Sequence, residues 1–352
     1  FNQAGGVTVK PKNVTIKDIA REANVSIATV SNVINNKGRV SEETRKLVQG
    51  LIAKYNYTPD LSARSLKNKH SHLISVVVPY LAKGEFEDNP YFWQVISGIE
   101  AGASSENFHV MLTGISDSTD IGFAKERHLD GLVVIGANEN SHHFQSILKL
   151  NVPCVFMDSY VTKTDVYQVN SNDKFGGYLG TKYLVSLGYE QIILVSGIKG
   201  KIAEGSGVDY QRWLGYKQAL AEANIPYRSE LVIEEGNTML GGYYAAQKVI
   251  GLIDRKTAIF VLSDIGAMGL IRGLRELGIS VPEDVSVMGY DDIFYADFMV
   301  PSLTTIRQDI FRKGEEAVGL LLAQIERREI GERNVLLPVE LKIRESTAKN
   351  FA

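Results

Sequence analysis

Thr15–Asn36 reads TIKDIAREANVSIATVSNVINN. Ile16, Ile19, Ala20 and Ala23 recur at i, i+3, i+4 and i+7, which puts them on one helical face. Thr15 stands where an N-cap belongs. Asp18 follows three residues on, a capping-box pattern with Asp in place of Glu. After Asn24-Val25, Ser26 can cap a second helix whose inward face is Val30, Val33 and Ile34. The outward face, Ile27, Ala28, Thr29, Ser31 and Asn32, is small or polar and carries no acid. Such a surface can enter an acidic, deep groove without repulsion.

Two helices this short bury too little apolar surface to fold alone, so a third is expected. Ser41 is a good N-cap, and Glu42 and Glu43 suit the positive end of the helix dipole. Leu47, Val48, Leu51, Ile52 and Tyr55 supply the apolar stripe. A bundle with no ligand would satisfy this pattern equally well, and charge separates the two readings. Residues 1–70 hold twelve Lys and Arg against five Asp and Glu, a net +7, whereas the whole chain carries −3 and the remainder −10. That asymmetry is the footprint of a nucleic-acid module joined to something else.

At 352 residues the chain has room for a small domain and one or two larger ones. No apolar run approaches a membrane span. Residues 1–13, FNQAGGVTVKPKN, lack the apolar core of a signal peptide and read as a disordered basic lead-in, so a cytoplasmic location is expected. The single cysteine, Cys154, cannot form an intrachain disulfide, and its apolar surroundings mark a structural thiol. Tyr57-Thr58-Pro59 ends the third helix, and Asp60–Lys67 can form only a short helix or a linker.

From Leu73 the texture changes. Apolar runs at 73–79, 110–113, 131–137, 152–158, 191–196, 258–262 and 285–290 alternate with helical stretches at 91–106, 175–187, 210–223, 266–277 and 310–327. Strands so uniformly apolar are covered on both faces, as in a parallel α/β sheet. The length suits two doubly wound sheets. Ligands then sit beyond the strands' carboxyl ends. Asp158, Asp264, Asp291 and Asp292 end or follow such strands, and Arg212 opens RWLGY with Trp213 beside it. Singly, each Asp could be a cap or a solvated end. Together, carboxylates and a guanidinium suit sugar hydroxyls, and an aromatic suits the apolar face of a sugar ring.

IKDIAREANVSIATVSNVINN resembles the helix-turn-helix signature of the lactose/galactose repressor (LacI/GalR) family of bacterial transcription factors. VSEETRKLV, YTPDLSARSLK, VPEDVSVMGYDD and PSLTTIRQD extend the resemblance over nearly all the chain after residue 13. It implies a small all-α helix-turn-helix domain (14–57) and a hinge helix (58–70). These precede a two-lobed periplasmic-binding-protein-like domain (71–352) of two doubly wound parallel sheets. Lobe 1 is expected over about 71–169 and 299–330, lobe 2 over about 170–298 and 331–352. The chain would cross between lobes near Val169-Asn170, Phe298–Val300 and Arg328–Gly331.

By the same resemblance, Ile27, Ala28 and Asn32 match base-reading positions, and Thr29 and Ser31 bind phosphate. Thr15, Ser26, Asn35 and Tyr57 complete that set. In the hinge, Leu66 wedges into the minor groove beside Ala63, and Arg64 and Lys67 meet phosphates. Asp158, Arg212, Asp264 and Gln308 match effector-contacting positions, with Trp213 beside Arg212 as the expected aromatic partner and Tyr91, Phe92 and Asn89 on the first-lobe side. Asp291-Asp292 brace the fold. Two departures flank the expected cleft: Ser116–His128 looks short, and Lys83–Asp88 looks inserted.

The expected protein is a homodimeric repressor of a pseudo-palindromic double-stranded operator. Its effector is expected to be a sugar, a galactoside or glucoside first. A purine nucleobase or a phosphocarrier protein acting as corepressor is the alternative. No enzyme is expected, and no cofactor or metal: Gly176-Gly177 and Gly180 do not make GxGxxG, Gly197–Lys201 lacks P-loop spacing, and Gly205-Ser206-Gly207 is not a nucleophile elbow. A sugar-processing enzyme or a free sugar-binding protein would leave the +7 module unexplained. Arg344–Ala352 leads into no heptad repeat, so no tetramerising coil is expected.

Overall fold

The computed structural model describes residues 14–34, 36–57, 70–79, 89–115, 121–162, 165–197 and 205–350. It divides into two compact units, Phe1–Ser71 and His72–Ala352. Among the described residues no helix is long and apolar enough to cross a membrane.

The first unit holds α1 (Ile16–Glu22), α2 (Ile27–Ile34) and α3 (Glu42–Lys54). The Thr15 N–H and hydroxyl both donate to Asp18 Oδ2, at 3.0 and 2.7 Å, which anchors the start of α1. Asn24 takes φ 52° and ends the first helical run, a left-handed conformation that Asn tolerates better than most residues. Ser26 Oγ accepts the Thr29 N–H at 3.0 Å, and Ser41 Oγ the Thr44 N–H at 3.2 Å. Ile19, Ala20, Ala23, Val30, Val33, Val48 and Leu51 make the core. Glu22 ties the end of α1 to the end of α3, accepting from Lys54 Nζ at 2.9 Å and from the Tyr55 hydroxyl at 2.6 Å.

In the second unit β1 (Leu73–Pro79), α4 (Pro90–Ser105), β2 (His109–Ile115), α5 (Phe123–Glu126), β3 (Gly131–Ile135), α6 (His142–Lys149), β4 (Cys154–Met157) and β5 (Tyr167–Ser171) build one lobe. The other follows as α7 (Asp173–Ser186), β6 (Gln191–Ser196), α8 (Val208–Glu222), β7 (Val232–Glu234), α9 (Met239–Val249), β8 (Thr257–Val261), α10 (Asp264–Glu276), β9 (Ser286–Asp291) and β10 (Thr304–Gln308). Then α11 (Ile310–Ile325) and β11 (Asn334–Leu337) return to the first lobe, and β12 (Val339–Lys342) to the second. The sheets run β11-β5-β4-β3-β1-β2 and β12-β10-β9-β8-β6-β7. Among the described pairings only β12, on β10, is antiparallel.

The crossings fall after Ser171, after Gln308 and at Pro338. The first lies close to the expected position; the others lie several residues later than 298–300 and 328–331. Strand β10 is TTIRQ, too polar to stand out as a buried strand. It nonetheless pairs with β9 in the second sheet, with Ile306 against Tyr290. Helix α11 then packs its apolar face, Ala317, Val318, Leu321 and Leu322, into the first lobe's core. The expected insertion at 83–88 and the lead-in at 1–13 lie outside the described residues, while α5 near the expected short segment is a single turn.

Three helix pairs close over the sheets through glycines. A Cβ on Gly98 would lie 2.0 Å from the Phe311 carbonyl oxygen (α4 on α11), one on Gly177 1.9 Å from that of Arg212 (α7 on α8), and one on Gly242 1.8 Å from that of Gly266 (α9 on α10). Gly176, Gly177 and Gly180, which do not make GxGxxG, are packing residues: a Cβ on each would lie within 3 Å of a neighbouring atom. Gly177→Ala is expected to cost about 1–3 kcal/mol by forcing α7 off α8, read as a lower melting temperature of the second unit. Gly50 lies exposed within α3 with nothing within 4 Å of its Cβ position. Gly50→Ala should instead stabilise the first unit by about 0.5–1 kcal/mol.

Candidate nucleic-acid interface and ligand cavity

Helix α2 turns Val30 and Val33 inward. Ile27, at 45% exposed, and Ala28 are left on the surface, with Thr29, Ser31 and Asn32 half-buried beside them. Gly38, at φ 74°, carries the following loop close to Asn32, where a Cβ would meet its Nδ2 at 3.0 Å. Ser26 caps this helix, and the exposed Thr15 caps α1. Tyr57 is half-buried against the small core. Asn35, Ala63, Arg64, Leu66 and Lys67 lie outside the described residues.

In the second unit a cavity of about 320 Å³ lies between the lobes, beyond the carboxyl ends of the strands. Its first-lobe wall carries Asn89, Tyr91 and Phe92 from the start of α4, Asn138 beyond β3, and Asp158 beyond β4. Its second-lobe wall carries Asp209, Tyr210 and Arg212 from α8, then Asn237, Ser263 and Asp291. Asn89 Oδ1 caps α4 by accepting the Tyr91 N–H at 3.0 Å, which sets both aromatic rings at the wall. Asn237 Nδ2 donates to Asp209 Oδ2 at 3.1 Å.

Behind the walls runs a buried polar network. The Tyr91 hydroxyl donates to Asp158 Oδ2. Lys313 Nζ, at the start of α11, donates to Asp158 Oδ1 at 2.8 Å and to Gln308 Oε1 at 2.6 Å. Gln308 Oε1 also accepts from Ser171 at 2.9 Å, and its Nε2 donates to Asp291 Oδ1 at 2.6 Å. Arg212 donates from Nε to Asp173 at 2.8 Å and from a terminal nitrogen to the Leu262 carbonyl at 2.7 Å. It lies 3.5 Å above the Tyr290 ring and 3.6 Å from Asp291. Burial opposes the guanidinium's charge, but Asp173, Tyr290 and Asp291 outweigh it and hold its pKa above the ordinary value. Burial likewise pushes the Asp291 carboxyl up to about 7, against the pull of Arg212 and Gln308.

Asp158, Arg212, Tyr91, Phe92 and Asn89 thus line the cavity. Three expected effector contacts stand elsewhere. Trp213, one helical step past Arg212, turns into the second-lobe core beside Tyr210 and Tyr227. Asp264 is fully buried, accepting from Thr305 at 2.5 Å and from the Ile293 N–H at 2.9 Å, while its neighbour Ser263 takes the wall position. Gln308 sits in the second rank, spanning Lys313 and Asp291. Conversely, Asp291 lines the cavity, and bracing falls to Asp292, 2.7 Å from Arg344. At Ser263-Asp264 and at Asp291-Asp292 alike, one position along the chain separates the wall residue from the one turned away from it. Asn138, Asp209 and Asn237 lie on loops or a helix start with no pattern to announce them, and Lys313 interrupts an apolar helix face.

Residues 15–60 match the pattern of the bacterial regulatory proteins of the lacI family, and residues 181–347 that of a periplasmic-binding-protein-like domain. The ribose operon repressor of Haemophilus influenzae is 32% identical over 340 residues, covering 94% of this chain and 98% of the relative. The transcriptional repressor PurR of Vibrio vulnificus is 34% identical over 341 residues, covering 95% and 99%. Among solved structures, a lac repressor dimer bound to operator and the anti-inducer ONPF superposes with a TM-score of 0.82 at 28% identity, over 96% of this chain and 100% of that one. A LacI-family regulator of Enterococcus faecium with bound ribose gives 0.68 at 31% identity, over 79% and 99%. With a helix-turn-helix unit, a two-lobed cavity unit and relatives matched along almost their whole length, this chain belongs to the lacI family of bacterial regulatory proteins.

Proposed function

We propose that this protein is a cytoplasmic, homodimeric repressor whose grip on a pseudo-palindromic operator is set by a neutral sugar of monosaccharide size held between its lobes. The cavity lining carries the effector reading. Among the described lining residues Asp158, Asp209 and Asp291 stand against one cation, Arg212, and that guanidinium is already engaged by Asp173 and Leu262. A sugar acid or phosphate would meet an excess of carboxylates, whereas a neutral polyol offers hydroxyl protons to them. Tyr91, Phe92 and Tyr210 supply apolar ring faces, and the volume is at the small end of ligand pockets. The ribose-bound relative makes D-ribose the first probe.

On the DNA side, Asn32 carries the adenine-edge reading, and Ile27 or Ala28 meets a thymine methyl. Thr15, Ser26, Thr29 and Ser31 are proposed on the phosphates, with Asn35, Tyr57, Ala63, Arg64, Leu66 and Lys67 completing the interface.

The test is fluorescence anisotropy on operator selected from random DNA, at fixed salt, titrated with pentoses, hexoses and purines. A symmetric selected site whose affinity one neutral sugar shifts by tenfold or so, a coupling of about 1.4 kcal/mol, is the expected result. A response to purines alone would overturn the sugar reading. Asn32→Ala should relax preference at one base pair per half-site, at about 1–3 kcal/mol; an unchanged selected sequence would refute that assignment. Asp291 is a better hydroxyl acceptor once ionised, so sugar affinity should rise with pH through about 7 and be weaker and flat in Asp291→Asn, measured by calorimetry.

A further inference from the structure

Lys313 is 1% exposed and sits on a helix face that is otherwise apolar, with Ile310, Gly314, Ala317, Val318 and Leu321. A hydrophobic side chain would fill that place without bringing a charge out of water. The ammonium instead finds three acceptors for its three protons: Asp158 at 2.8 Å, Gln308 at 2.6 Å and the Tyr91 hydroxyl at 3.3 Å. It does not itself line the cavity, but Asp158 and Tyr91 do. Asp158 is held at φ 52°, a left-handed conformation that its surroundings must enforce. With Tyr91 on one carboxylate oxygen and Lys313 on the other, its orientation is fixed.

We propose that Lys313 is a positioning residue: its ammonium holds Asp158 oriented on the first-lobe wall as an acceptor for a ligand hydroxyl. The ligand half of this proposal rests on the sugar reading above. The Asp158–Lys313 pair has acidic and basic company on every side: Tyr91 from α4, Tyr160 beyond β4, Asp173 from α7, Arg212 from α8 and Asp291 from β9. Those groups are common to every member of a double-mutant cycle, so such a cycle isolates the pair.

Wild type, Lys313→Met, Asp158→Asn and the double variant are melted at about pH 5 and about pH 8. Lys313→Met strands a buried carboxylate, which then binds a proton more readily. A carboxyl whose folded-state pKa is raised gives stability that is present at low pH and lost as pH rises through it. The expected loss in Tm is therefore roughly 5–15 °C at the higher pH and clearly smaller at the lower. In the Asp158→Asn background the same substitution should cost far less and show no such pH dependence. In calorimetry, D-ribose should bind folded Lys313→Met roughly ten- to a hundredfold more weakly than wild type near pH 6, with the gap narrowing as pH rises. A Tm loss equal at both pH values and undiminished in the Asp158→Asn background would show that Lys313 only fills space, and unchanged ribose affinity would overturn its positioning role. If wild type binds no sugar, the sugar reading fails, while the melting cycle still decides whether Lys313 and Asp158 are coupled.

Discussion

The second unit depends on one buried string of charges and amides: Asp158, Lys313, Gln308, Asp291, Arg212 and Asp173. Two of the three strand-to-lobe crossings pass directly through it. Ser171 and Asp173 flank the first, and Gln308 and Lys313 flank the second. An unpaired charge in such a place would cost several kcal/mol, so each group needs its neighbour. Ser171–Gln308 and Lys313–Gln308 join the two lobes, so a shift between the lobes must break or re-form these pairings, as a two-state switch requires.

A ligand between the lobes acts on this string because Asp158, Arg212 and Asp291 belong both to it and to the wall. It can move the lobe equilibrium only by as much as its affinities for the two arrangements differ. Whatever it does to operator affinity, operator must do to its own binding. The glycine contacts matter here for a mechanical reason. With α4 on α11, α7 on α8 and α9 on α10 at backbone contact, each lobe is stiff.

Most of this architecture was legible in the sequence where burial is two-sided. The strand 191–196 and the helix beginning at Ile310 stand where apolar runs and periodicity put them. Of the strands the apolar runs missed, two are polar by necessity. Strand β5 holds Gln168, Asn170 and Ser171 and β10 holds Thr304, Thr305 and Gln308, all buried beside the crossings. Strands that carry the switch network cannot also advertise themselves by hydrophobicity. The wall residues were half legible. Strand ends are visible, but which of two neighbouring residues turns to the cavity depends on a twist no spacing encodes. Hence Ser263 and Asp291 line the wall while Asp264 faces the core.

The acids left over say something about stability as well as recognition. Asp264 is buried with Thr305 and the Ile293 backbone as its donors, and burial, with Asp291 nearby, pushes its pKa up. Asp291 shares the Arg212 guanidinium with Asp173. A fold selected for stability alone would not place Asp291 on the wall of a cleft with Asp264 buried nearby. A bound polyol that donates hydroxyl protons to the wall would relieve part of that tension, and any ligand that binds only the folded unit stabilises it by RT ln(1 + L/Kd), where L is the free ligand concentration. The same carboxylates that make the empty cleft costly give an occupant something to satisfy. Affinity and the drive to change lobe arrangement therefore come from one source.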